Sequence, residues 1–283
     1  MDFLAGHDAA WLAALVAALL ATGLAAGTLA GLLGVGGGIV IVPVLYHLFT
    51  LLGIDEAVRM HAAVGTSLAT IIPTSISSAR AHHARGSLDT DLLKSMAPGI
   101  VLGVVAGSIA GGWLSGAALT AIFAMVALLV AANMGLLREP VVVAEALPGG
   151  LPRAGIGAFI GGFSTLMGIG GGTLSVPILS AFRYPIRRAV GTASAIGLII
   201  SVPGTIGFVL SGVGVPDRPP GSLGYANLVG FALIVPMTVL MAPQGAKLAH
   251  TVNPTRLKQL FALFLFLTAL RMFADLPIWG SDS

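Results

Sequence analysis

The sequence contains no cysteine, which excludes disulfides, thiolate chemistry and cysteine-based metal sites. Charge is nearly as scarce: only 9% of the residues are Asp, Glu, Lys or Arg, against about 25% in an ordinary soluble domain. No Ser/His/Asp set, HExxH pattern or carboxylate pair stands in the apolar segments, so an intramembrane enzyme has nothing to work with. No metal site or cofactor-binding pattern is expected either. The first residues, "MDFLAGHDAAWLAALVAALL", carry Asp2 and Asp8 where a signal peptide has a basic region.

What remains is apolar. Over 283 residues, 56% are hydrophobic and the mean hydropathy is +0.99, the composition of a polytopic, all-α membrane protein. The isoelectric point near 9.7 rests on a net charge of only +3, which reads as loop charge setting orientation and not as a nucleic-acid surface. Ten apolar segments are expected, roughly 9–33, 39–52, 61–79, 95–113, 118–137, 154–168, 172–182, 189–212, 225–246 and 258–274. The longest polar stretch, 138–153, holds Pro140, Pro148 and Pro152 and reads as a cytoplasmic linker between two repeats, 1–137 and 154–283.

The halves repeat. "GTLAGLLGVGGGIVIVP" (27–43) aligns with "GGFSTLMGIGGGTLSVP" (161–177) at one constant offset, with Gly34, Gly36, Gly37, Gly38 and Pro43 matched by Gly168, Gly170, Gly171, Gly172 and Pro177. Further on, "AVGTS" (63–67) returns as "AVGTA" (189–193), and "GSLDTDLL" (86–93) as "GSLGYANL" (221–228). If each glycine motif is a turn that sends the chain back to the side it came from, Lys and Arg divide eleven against three; a break inside one crossing helix divides them seven and seven. The positive-inside rule favours the turn. Both termini then face the periplasm, and the two repeats of about five segments are inverted. The 172–182 segment gives ~16 Å of helix, about half a ~30 Å hydrocarbon core. The glycine motifs are therefore expected near the midplane, at the tips of re-entrant or broken helices.

Irregular backbone at that depth is tolerated where it lines a cavity or packs inside protein. Glycine permits the turn and close approach to backbone N–H groups, and each run precedes an apolar segment, so its amides fall at a helix start that suits an anion. All eleven Asp and Glu lie in loops, at termini or at segment ends. An acid-free interior argues against a cation substrate. Thr66, Ser67, Thr192 and Ser194 follow the "AVG" elements; their hydroxyls either face the site or back-bond to helical carbonyls. Pro73 and Pro203 are expected to kink their segments and free carbonyls near the same depth. Two four-residue glycine ladders, Gly23/Gly27/Gly31 and Gly99/Gly103/Gly107/Gly111, read as helix-packing faces and leave a homodimer through those helices open. His82 and His83, in "ARAHHARG", read as a solvated basic loop; His47 and His61 flank the first outer loop, where either is a candidate proton carrier.

Together "GLLGVGGGIVIVP", "AVGTSLATIIP", "GIGGGTLSVP" and "AVGTA" resemble the TauE/SafE sulfite-exporter family, also called the toluenesulfonate uptake permeases, over about residues 10–274. The resemblance implies a bacterial inner-membrane secondary carrier for a small sulfur-containing anion such as sulfite, a sulfonate or sulfoacetate. It places the substrate region at the two glycine runs and at Gly65–Thr66–Ser67 and Gly191–Thr192. Ala193 stands where the first half has Ser67, which argues against a symmetric hydroxyl pair. An anion channel of the same architecture is the alternative, separated from a carrier by saturable counterflow. A non-transporting sensor is a further one, excluded by transport in liposomes.

Overall fold

The computed structural model describes residues 8–136, 142–248 and 254–276. Within them lie ten helices and one tiny hairpin: α1 (Ala9–Leu33), α2 (Gly38–Leu51), α3 (Glu56–His83), α4 (Thr90–Trp113), α5 (Gly116–Leu136), α6 (Gly150–Leu166), α7 (Gly172–Ala181), α8 (Ile186–Gly212), β1 (Ser222–Leu223), β2 (Ala226–Asn227), α9 (Leu228–Leu248) and α10 (Pro254–Ala274). The ten expected segments are thus ten helices. Several start earlier than their apolar runs because a polar cap sets the start. Asp55 accepts the Ala57 N–H, and Asp89 accepts those of Asp91 and Leu92, satisfying donors that a helix start leaves bare. Pro73 and Pro203 lie inside unbroken helices. The hairpin was not expected; it replaces the start of the 225–246 segment.

Among the described residues, five helices are long and apolar enough to cross a membrane. Their outer faces carry large apolar side chains, such as Leu102, Val105, Ile109 and Trp113 on α4 and Ile206 and Leu210 on α8. Water does not tolerate such a surface over so wide an area. Described charged side chains lie at helix ends and in connections.

Both glycine ladders are consumed inside the chain. Gly23, Gly27 and Gly31 on α1 meet Ile234, Thr238 and Ala242 on α9 in order; Gly99, Gly103 and Gly107 on α4 meet Ala154, Ala158 and Gly162 on α6. A Cβ at any of these glycines would stand within 2.6 Å of opposing backbone, so the pairs run parallel at the closest approach helices allow. The ladders are thus helix-packing faces within the chain, and the faces these glycines line are already covered. The pairing also exchanges the halves. α1 packs on α9 and α6 on α4, α3 packs on both α8 and α9, and α8 on α4, so each cross-half contact has a counterpart with the halves interchanged.

Two ends can be told apart by their contacts. At one, Arg153 reaches Ser95 Oγ (3.2 Å), Arg188 reaches Asp89 (3.0 Å) and the Val143 N–H donates to Ala181 O (2.8 Å). At the other, His61 meets Gly111 and Leu114, Tyr225 stacks on His61, and His47 lies 3.8 Å from Asp275. Among the described residues, Arg80, Arg85, Lys94, Arg153, Arg183, Arg187, Arg188 and Lys247 belong to the first end and Arg59, Arg218 and Arg271 to the second.

Candidate functional site

The two glycine runs meet. Val35 and every glycine of 34–38 and 168–172 are buried. A Cβ on Gly172 would stand 2.0 Å from Gly34 O, and one on Gly38 would stand 2.4 Å from Gly168 O; these are the same contact with the halves exchanged. Between them Gly36 and Gly170 face each other, a Cβ on either reaching the other's Cα at about 3.0 Å. Glycine is required here because two backbones touch, whatever else the runs do. Gly34 and Gly168 also need the left-handed conformation, at φ +68° and +63°, which ends α1 and turns the chain after α6. The repeats then diverge. Gly37 before α2 is left-handed at φ +80°, whereas Gly171 before α7 is right-handed at φ −52°, so the two helix starts present their amides differently.

The "AVG" elements pack against this centre and against the caps of other helices. A Cβ on Gly34 would strike Val190 O and one on Gly168 would strike Val64; Gly65 lies under Tyr225 O and Gly191 under Ser87 O. The expected hydroxyls all find protein partners. Thr66 Oγ1 accepts the Asn227 N–H (2.8 Å), and Thr192 Oγ1 accepts the Asp89 N–H (2.9 Å). Asn227 and Asp89 immediately precede α9 and α4, so this pair too respects the exchange of halves. Ser67 Oγ donates to Gly168 O (2.6 Å), a bond the second half cannot repeat with Ala193. Ser194 Oγ back-bonds to Gly191 O (2.6 Å). The structure therefore gathers the glycine runs, Gly65–Ser67 and Gly191–Ser194 around one core and uses their hydroxyls to tie helices together.

Other hydroxyls are left over. Buried without a partner in the described structure are the oxygens of Ser75, Ser164, Thr173 and Ser175. Ser75 on α3 is fully buried. Gly197 on α8 packs against it: a Cβ there would stand 2.7 Å from Ser75 Oγ and 3.8 Å from the Gly171 nitrogen, so an added side chain would collide. An unpartnered hydroxyl thus lies near the nitrogen that opens α7. Sequence reading passed over these residues although the repeat marks them: "GGTLSVP" puts Thr173 and Ser175 where "GGIVIVP" has Ile39 and Ile41.

His82 corrects its expectation. It is 5% exposed, with Nε2 2.9 Å from Gly31 O and Nδ1 3.2 Å from Ser87 Oγ, because the last turn of α3 tucks against the end of α1. His83 is exposed. At the same end, Asp89 binds Tyr184 and Arg188 beside an open cavity of about 470 Å³ that Glu145, Arg153 and Arg183 also line. The Leu92 N–H, then the Tyr184 hydroxyl, hold the Asp89 carboxyl below the usual range with help from Arg188, against the opposing effect of burial. Burial, then the bond to Asp89, pushes Tyr184 up to about 12. Among the described residues no cluster of His, Asp or Glu could hold a metal ion.

Comparison with known proteins adds the family. The sulfite exporter TauE/SafE model matches residues 19–272. A probable membrane transporter protein of Haemophilus influenzae is 36% identical over 245 residues, 86% of this chain and 92% of that one. A probable membrane transporter protein of Methanocaldococcus jannaschii is 26% identical over 245 residues, covering 85% and 89%. The probable membrane transporter protein YunE of Bacillus subtilis is 32% identical over 207 residues, covering 64% and 73%. No solved structure matches the chain. With a family model spanning this much of its length, the chain belongs to the sulfite exporter TauE/SafE family.

Proposed function

We propose that this membrane transporter is a secondary carrier for a small sulfur-containing anion of the sulfite, sulfonate or sulfoacetate type. The observation that carries the reading is the pairing of an acid-free interior with a buried, unpartnered hydroxyl beside the start of α7. Every described carboxylate sits at a helix end or in a connection, while the buried, unpartnered Ser75 hydroxyl lies near the start of α7 where the glycine runs cross. Hydroxyls and helix-start amides hold an oxyanion without a counter-charge. A cation finds no carboxylate there. The glycine runs, Thr66, Ser67, Thr192 and Ser194 form the shell around that site.

The same reading orients the molecule. α1 with α2 and α6 with α7 act as two helix pairs turned back at their glycine runs, 1–137 and 154–283 act as inverted repeats, and the 138–153 linker lies in the cytoplasm. The grouping of eight described basic residues at one end against three at the other supports this. Both termini are then periplasmic and the membrane is the bacterial inner membrane. Transporter-named relatives and the lack of a catalytic set fit a non-enzymatic role.

The test is counterflow by purified protein in liposomes with sulfite, thiosulfate, sulfoacetate, taurine and toluenesulfonate. At least one sulfur oxyanion should exchange saturably, and Ser75→Ala should weaken it by about 1 kcal/mol or more, the worth of a hydrogen bond to a charged group. Exchange of a cation or neutral solute, with no sulfur anion competing, overturns the proposal.

A further inference from the structure

His61 lies in the second turn of α3 and is 4% exposed. Its ring nitrogens face only acceptors. Nδ1 is 3.1 Å from Ala57 O, and Nε2 is 3.1 Å from both Gly111 O and Leu114 O. A neutral imidazole has one N–H and one lone pair. In either tautomer a lone pair therefore points at a carbonyl oxygen. Only the imidazolium, with two N–H groups, donates to both sides.

The ring also stacks on Tyr225 at 4.8 Å between centroids, a π-face that tolerates a cation. Tyr225 is the titratable group that faces it from the hairpin. From α4 and the turn after it come only the carbonyls of Gly111 and Leu114. On its own helix Arg59 is held by Ile54 O and lies over Tyr46. No ion pair of His61 forms among the described residues. The charged ring is costly to bury yet fully bonded; the neutral ring is cheap to bury yet short of a donor. Burial and bonding thus pull the charge of the ring in opposite directions, the opposition that a site loading and unloading a proton requires.

Its position links the two halves. His61 ties α3 to the end of α4 and, through Tyr225, to the hairpin of the other half. Tyr225 O covers Gly65, and the Asn227 N–H two residues on binds Thr66. Aligned on the "AVG" elements, His61 has Arg187 as its counterpart in the second half. The repeat thus keeps a permanent cation at one end and a titratable one at the other.

We propose that His61 is the proton site of the carrier, binding a proton with the anion and releasing it as the Gly111–Leu114 turn parts from α3. This rests on the carrier reading and supplies the coupling that an acid-free interior otherwise lacks. The proton passes to and from water at the mouth, and no other bond changes.

The experiment uses the full chain in liposomes loaded with a pH-reporting dye, with toluenesulfonate as probe, or thiosulfate if only that exchanges; neither changes charge between about pH 5 and 8, where histidine titrates. The parent should move protons with the anion. One unit of pH gradient should support about tenfold accumulation of a monovalent anion carried with one proton. His61→Gln and His61→Asn should keep counterflow and lose both effects. If the parent exchanges anions without moving protons, or either variant still accumulates them against the gradient, the proposal fails while the carrier reading stands. If the parent exchanges no sulfur anion, the carrier reading fails first. Should neither variant fold, ring ¹⁵N spectra of the histidine-labelled parent decide, with His61 assigned by its contact to the Tyr225 ring. A ring protonated on both nitrogens at the acid end of that range and on one at the other is expected; one that never gains the second proton overturns the proposal.

Discussion

Replacing Gly172 by alanine adds one methyl group where the two glycine runs touch. Its Cβ would stand 2.0 Å from Gly34 O and 2.7 Å from Val35 Cα. Both are backbone, so no side chain can swing aside. Reaching ordinary van der Waals contact requires a shift of at least about 1.4 Å between α7 and the turn after α1. Overpacking of a close-packed interior costs about 1–3 kcal/mol, and a contact blocked by backbone belongs at the upper end. The gain in helix propensity, up to ~1 kcal/mol, offsets part of it. Gly155 on α6 supplies the control, because a Cβ there meets nothing within 4 Å. Gly172→Ala should lower the midpoint of thermal unfolding in detergent by several degrees, at roughly 2–4 °C per kcal/mol for a chain of this size. Gly155→Ala should leave it unchanged or raise it. Gly38→Ala, at 2.4 Å from Gly168 O, should behave like Gly172→Ala. If Gly172→Ala melts with Gly155→Ala, the runs do not touch and the packing described above is wrong.

Thr66→Val and Thr192→Val each leave a backbone N–H, of Asn227 or Asp89, without its acceptor; both should cost about 1–3 kcal/mol of stability with little change in substrate affinity, and a variant that melts like the parent but binds the anion weakly would place the hydroxyl in the site instead. Asp89→Asn keeps a capping oxygen but loses the charge facing Arg188 and Tyr184; at most ~1 kcal/mol should be lost, since Arg188 is half-exposed. Because the folded Asp89 carboxyl is depressed, its contribution is full above the unfolded value near 3.9 and disappears as pH falls through the folded one. The parent and Asp89→Asn should therefore differ in melting at neutral pH and converge only in strong acid. Single cysteines at Arg85 and Glu145 should label from the cytoplasm and those at Ser115 and Leu223 from outside; labelling of Arg85 and Leu223 from one side contradicts the inverted arrangement.

The helices were legible because apolar runs in a chain this poor in charge have few other fates, and the constant offset between the two "GxGGG" runs announced their equivalence. Helix starts were less so: residues such as Glu56 and Arg59 break an apolar run, yet Asp55 caps a helix that includes them. The meeting of Gly36 with Gly170 was implied by the repeat but not by any local pattern, since it joins residues far apart in the chain. His82 was misread because "ARAHHARG" looks like a loop; only the position of Gly31 O reveals what its ring serves. Ser75 and Gly197 carry no motif. Their significance lies in what each lacks, a hydrogen-bond partner for one and a side chain for the other, and only neighbours supply that information.

The exchange of partners between halves bears on how the chain is made. α1 emerges early, but the helix that fills its glycine face is α9; Gly34 waits for Gly172 in the same way. Contacts of such long sequence separation form late. The first five helices must therefore rest in the lipid with their small-residue faces unfilled until the second five arrive, so neither half is a folding unit by itself. A gene severed within 142–149 should yield fragments that are each degraded when made alone and that assemble when made together.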